Sequence, residues 1–404
     1  MTDRVVLLMD AVKANDADVV RQLLSAHAAE LQSALESPIP GWAFGETPLI
    51  AAARARNREM IDALLDAGAD INAKTKWWAG GFGVFDELGG DVKLAEHLIE
   101  RGAFVDVHAA VRLGKLDHLR MLLGASPSLV HARGGDGMLP LHFADSVEVA
   151  EYLLSCGADI DAIDVDHEST AVQYMVRERQ EVARYLVARG CRTDILLAAA
   201  LGDAESVERH LRVNPAAIRT CVSPQWFPMK DMRAGGSIYI WTLGRLKTGH
   251  QVAFEFEHPA VFQMLMEHSP AGLRLAVACE LGSDLPDVVP VDPVDQDRIV
   301  QAAQSDDPAK ILRMLDCGWP VAARDPGGAT ALHWAAFHGN AAAVGLLLER
   351  DAPIGLKDYH HGRTPFVWAE YGSDNSWIKT GDYPTVMRLL GGSAATSPAN
   401  SPSA

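Results

Sequence analysis

The chain has 404 residues, 48% hydrophobic and 22% charged, the proportions of a folded globular protein. Its formal net charge of −17 argues against nucleic acid and against anionic membrane surfaces, since both select for basic patches. No apolar run reaches the roughly 18 residues of a membrane span, and the acidic residues around the short apolar core of MTDRVVLLMDAVKAND do not suit a secretory signal. The five cysteines are scattered with no CxxC pair, so free thiols in a reducing cytoplasm are expected.

Residues 5–34 predict a helix pair suited to capping an array. In 41–73, Thr47-Pro48 starts a helix, with proline where its missing N–H costs nothing, and Gly68 ends the second helix of the pair. Segment 74–107 keeps only its second helix, and Gly102 falls 34 residues after Gly68. Its first half is KWWAGGFGVFDELGGD, too rich in glycine for a helix. Shortened helix pairs are predicted over 108–137, 137–164, 164–194 and 195–220. Residues 221–240 break the period with prolines, glycines and aromatics, and a long loop or hairpin is expected. A degenerate pair follows over 241–270, and the proline-rich acidic stretch 283–297 interrupts the next. Segment 297–325 resumes the register, and 325–358 is the most regular unit: Thr330 caps a helix, Gly339 ends it, and a second helix carries Val344, Leu346, Leu347 and Leu348. The last pair, 361–390, is split by the insertion 372–382, and the small polar tail 391–404 is expected to be disordered.

The stretches ETPLIAAA, LHFADS, TALHWAAFHGN and RTPFVWAE, with the endings GADINA and GADIDA, resemble the ankyrin-repeat family. The resemblance spans about residues 1–390. It is clearest over 41–73, 137–164 and 325–358. WWAGGFGV, DVDHEST, IYIWTLG and LHWAAFHGN are similar, in order, to stretches of large bacterial ankyrin proteins. The resemblance implies an all-α ankyrin-repeat solenoid of roughly 10–12 helix pairs, at about 33 residues each, with irregular loop insertions. Four segments are expected: a repeat array over 1–220, degenerate repeats with insertions over 221–297, further repeats over 298–390, and the tail 391–404. The family also implies a concave groove that binds a protein partner.

Several residues stand outside the repeat pattern. Asp166, His167 and Glu168 crowd a hairpin tip beside Asp164, whose carboxylate suits capping the turn. Two carboxylates and an imidazole so close could serve acid–base chemistry, and these three are the catalytic candidates, against the simpler alternative of a charged solvent turn. Candidate ligand contacts are Trp77, Trp78, Asp86, Tyr174, Tyr239, Trp241, Trp334, His338, Trp368, Glu370 and Trp377. Aromatics interleaved with carboxylates suit a carbohydrate or small polar ligand, and aromatic anchors equally suit a protein interface. His333 and His142 match the family's structural histidine and are expected to bond backbone at a helix start. With no EF-hand glycine and no HExxH helix, neither a metal centre nor a cofactor is expected.

Two functions follow. In the first, the groove binds a partner protein. In the second, an enzyme acts on a small polar molecule or carbohydrate in a pocket walled by the insertions at 76–90, 221–240 and 372–382. Convergence of those insertions on one enclosed cavity would favour the second.

Overall fold

The computed structural model describes residues 3–88, 90–285, 289–378 and 380–392. The tail beyond residue 392, and residues 286–288 of the proline-rich stretch, lie outside the described residues. The architecture is all-α and built from helix pairs, and among the described residues there are no strands, only the isolated bridges Ile163 to Thr170 and Arg324 to Thr330. Two compact units form. The first comprises 1–213 and 220–247, and the second comprises 214–219 and 248–404. The boundaries read from the sequence at 220 and 297 mark changes in repeat quality, which is a different property from contact density.

In the first unit, successive pairs include Asp3–Lys13 with Ala17–Leu35, Pro48–Arg54 with Arg58–Asp66, Val107–Arg112 with Leu116–Ala125, and Ile195–Leu201 with Ala204–Val213. Small side chains let the first helix of a pair pack closely: Ala51, Ala52 and Ala53 are buried, as are Ala198, Ala199 and Ala200. Side-chain caps start many helices. Asn57 accepts from Met60 N, Asp91 from Leu94 N, and Asp194 from Leu196 N and Leu197 N. Gly68 and Gly102 take φ of +94° and +101° after their helices, the left-handed conformation that glycine adopts without a Cβ clash.

Some pairs are incomplete. The first helix before Val92–Glu100 is replaced by a loop and the 3-10 turn Val84–Glu87. LPLHFADS forms the 3-10 turn Pro140–Phe143, because Ser146 already caps the next helix. Residues 220–238 carry no helix and pair back on 246–247 through Val222 N to Lys247 O and Leu246 N to Val222 O.

The second unit contains Gly249–Glu255 with Pro259–His268, Ala271–Leu281, Arg298–Gln304 with Pro308–Asp316, Ala331–Phe337 with Ala341–Glu349, and Pro365–Asn375 with Tyr383–Gly392. Its core joins Leu275, Ile299, Ile311, Leu332, Val344 and Val386. The helix Pro365–Asn375 runs further than the sequence suggested, through Gly372. A Cβ at that position would meet Phe337 O at 2.1 Å, so glycine lets two helix backbones touch.

Candidate functional site

The hairpin tip 164–170 of the first unit gathers three glycine-rich loops. Asp136 N reaches Gly80 O at 3.3 Å, and Asp136 O accepts from Val165 N and Asp166 N at 2.9 and 3.1 Å. These approaches need glycine. A Cβ on Gly80 would lie 2.2 Å from Gly134 O, and one on Gly137 would lie 2.2 Å from Val165. From the other side, Gly235 N donates to Asp166 O at 2.9 Å, and Ile238 N donates to Ser169 Oγ at 3.1 Å. The insertions at 76–90 and 221–240 meet here, with the Arg233 guanidinium 4.2 Å from the Trp78 ring centre.

The tip residues divide by role. Asp164 accepts from His167 N and Ser169 N, both at 2.7 Å, and holds the turn. Glu168, at φ +43°, accepts from Lys230 N and Asp231 N at 2.8 Å each through Oε1. Its carboxylate therefore fastens the 221–240 insertion. Asp166 and His167 are buried and turn inward toward Asp136. Burial raises the Asp136 carboxyl to about 6, and the neighbouring Asp166 charge adds to the rise. Tyr174 packs edge-on against His167 with ring centres 6.2 Å apart, and desolvation pushes its hydroxyl pKa far above the ordinary phenol value. Asp136 was not singled out in the sequence. Its signal is an aspartate inside the glycine run GGDG, at φ +54°.

The third insertion builds a separate recess within the second unit. Trp334, Phe337, His361, Arg363, Trp368, Tyr371 and Trp377 line a cavity of about 400 Å³. Trp334 and Trp368 meet edge to face at 5.1 Å, and Phe337 stacks on Tyr371 at 6.3 Å. Both indole N–H groups are already used: Trp334 Nε1 donates to Asp325 Oδ2 at 3.2 Å and Trp368 Nε1 to Asp358 Oδ2 at 3.1 Å. The lining that remains is mostly ring face, with Arg363, His361, the Tyr371 hydroxyl and the Trp377 indole N–H as polar groups.

Two expected ligand contacts are corrected. His338 is buried at 1% exposure and both its nitrogens are bonded, to Ser376 Oγ and Gln304 O at 3.1 Å each, so it holds the recess wall from behind. Tyr239 is fully buried and donates its hydroxyl to Asp194 at 2.9 Å, which makes it a core residue. Trp241 stands 70% exposed, and Glu370 is also exposed. Asp86 pairs with Arg112 at 3.1 Å and lines a small cavity of about 90 Å³ with Lys74, Asp106 and His108. Trp77 packs edge-on to Phe44 at 4.7 Å, which fills part of the space left by the absent helix. His333 receives Thr330 N on Nδ1 at 3.1 Å and bonds Arg363 O through Nε2 at 3.2 Å. His142 makes the equivalent bonds to Leu139 N and Ser169 O.

A family model described as Ankyrin repeats (3 copies) matches residues 6–79 and 107–197, and one described as Ankyrin repeat matches 327–359. The chain is an ankyrin-repeat protein. Both matched stretches of the first model lie in the first unit, and the second match contains Trp334 and Phe337 of the aromatic recess. No curated protein matches the chain. Ankyrin repeats generally mediate protein–protein interaction, and no described helix of this chain is long and apolar enough to cross a membrane.

Proposed function

We propose that this ankyrin-repeat protein binds a partner protein and anchors it in the aromatic recess of the second unit. The observation that carries this is the pair of indole N–H groups already satisfied by Asp325 and Asp358. With these two indoles engaged, the cavity presents largely apolar ring faces, and an apolar side chain buried there does not strip either N–H of its partner. Trp, Tyr and Arg are the residue types that most often carry interface energy. Arg363 lies above the Tyr371 ring at 5.9 Å, so the partner segment is an apolar anchor flanked by a carboxylate.

The test is a random peptide library selected on the full chain, with affinities measured by fluorescence anisotropy. Peptides pairing an aromatic or large aliphatic residue with a nearby Asp or Glu should be enriched. Trp377→Ala removes a ring that is 57% exposed and should weaken them at least tenfold without altering the melt. Equal binding by that variant would sink the proposal.

A second function rests on the cluster in the first unit. A carboxyl titrating near pH 6 beside another carboxylate and an imidazole is the set that acid–base chemistry on a small polar molecule uses, with Asp136, Asp166 and His167 as the groups. Glu168 drops out, because its oxygen holds the insertion. A polar metabolite or sugar that shifts the melt of Trp377→Ala but not of Asp136→Asn would favour this function over the first.

A further inference from the structure

Asp136, Asp166 and His167 each offer a donor atom, and the three atoms lie within 4.8 Å of one another. Charged turns with that much in common are ordinary, but three further features set this one apart. The His167 side chain is 10% exposed, and its Nδ1–H donates to Gly236 O at 2.7 Å. In a neutral imidazole that bond leaves the lone pair on Nε2, the nitrogen a metal would take. Nε2 faces Asp166 Oδ2 at 3.7 Å and Asp136 Oδ2 at 3.9 Å. An imidazole nitrogen set against two carboxylates needs a proton or a metal cation between them. Metal-bound histidines show this arrangement, with the far ring N–H donated to a carbonyl.

Next, Asp166 Oδ1 is occupied by Gly235 N at 3.2 Å, which leaves Oδ2 to point into the cluster. Finally, Asp136 Oδ1, Trp77 Nε1 and Tyr174 OH are buried without a well-formed hydrogen bond, with Trp77 set against Asp136 and Tyr174 against Asp164. Buried polar atoms so poorly paired are uncommon in native interiors. The Trp77 indole N–H points to Asp136, and the Tyr174 hydroxyl lies by Asp164 in the field of Asp136 and Asp166, so both polar tips border the same carboxylate group.

We propose that Asp136, Asp166 and His167 bind one divalent first-row transition ion, with Zn²⁺ the best match. Bonds of about 2.0–2.2 Å in a tetrahedral site put donors roughly 3.4 Å apart; the two imidazole–carboxylate edges at 3.7 and 3.9 Å need contract by a few tenths of an ångström, and the three donors lie within 4.8 Å of one another. An imidazole among the donors disfavours Mg²⁺ and Ca²⁺, which take oxygen sets. Three protein ligands leave a fourth position for water, and the Trp77 indole N–H and Tyr174 hydroxyl are polar groups bordering the cluster. The site is independent of the partner recess. Metal uptake without turnover would also separate it from the acid–base function of the same cluster.

The test is titration of metal-stripped full-length chain with Zn²⁺ alone against a chromophoric chelator, followed by Co²⁺ absorption as a report of coordination geometry. One ion per chain is expected, with visible Co²⁺ bands of tetrahedral or five-coordinate intensity. Asp136→Asn and His167→Gln should each weaken binding at least 100-fold, and the melt of each apo variant shows whether it folds. Asp136→Asn is isosteric and removes a buried charge, so its apo form should melt no lower than wild type. The double variant His360→Gln/His361→Gln controls for capture by exposed histidines and should bind as wild type does. Three outcomes overturn the proposal: no ion taken up, binding that survives both cluster variants, or binding lost in the His360/His361 control.

Discussion

His250 is fully buried, with Nε2 bonded to Ser269 Oγ at 2.8 Å and Nδ1 without a partner. Burial lowers its pKa to about 3, and the nearby Arg298 charge adds to the fall. His142 is lowered to about 4 for the same first reason. An unfolded histidine titrates near 6.5. Between that value and the folded one the unfolded chain binds more protons, so stability is full above about pH 6.5 and falls as pH drops toward 4 and then 3. At pH 5 the His250 contribution to the loss is about 2 kcal/mol, from 1.36 kcal/mol per pKa unit. Replacing His250 with Gln should remove that part of the pH dependence. Urea unfolding at pH 7 and pH 5, followed by circular dichroism, measures it, and an unchanged difference between the two pH values would refute the assignment. The structural role of the histidines in LPLHFA and TALHWAA was legible in their motifs, because in both repeats the helix-start histidine bonds the same local backbone. His250 sits in a degenerate repeat, and nothing local marked it.

At the scale of elements, the hairpin tip and the 221–240 insertion act as one part. Asp166, His167, Glu168 and Ser169 each bond the insertion, and Glu168 does so with one oxygen shared by two N–H groups. Lys230 and Arg233 are exposed within the held segment. Glu168→Ala should free it, and trypsin should nick after Lys230 or Arg233 several-fold faster, since cleavage follows the population of the opened loop. Glu168→Gln keeps an acceptor and should stay close to wild type. Mass spectrometry of the timed digest identifies the cut, and equal nicking rates across the three proteins would show that the clamp is not limiting. The helix pairs themselves were readable from spacing, since Thr-Pro starts and glycine ends are local devices. The cluster was only half readable. DVDHES announced Asp166 and His167, whereas GGDG looks like any turn until the fold brings it against the tip. Trp334, Trp368 and Trp377 were singled out as ligand contacts, but their grouping into one recess depends on a helix contact through Gly372 that no periodicity reveals.

Across the whole molecule, 53 acidic side chains face 36 basic ones, and the net charge of −17 is spread over an array with few places to hide it. Like-charge repulsion then opposes the compact state, and salt screens it over a Debye length of about 10 Å at 0.1 M. The ion pairs that matter most are shielded from this effect. Arg298, with 5% of its side chain exposed, bonds Glu280 at 2.6 Å and Asp295 at 3.3 Å, and screening by salt barely reaches such a pair. Exposed pairs such as Arg21 with Asp18 contribute little at any salt concentration. Repulsion over the surface should therefore dominate the response. Raising NaCl from about 10 mM to about 500 mM, across which the Debye length shrinks severalfold, should raise the urea midpoint at pH 7 without changing the slope. A slope change would mean that salt alters the surface exposed on unfolding and not the charge balance. A midpoint that fell with salt would place surface ion pairs, not repulsion, in control of the stability of this chain.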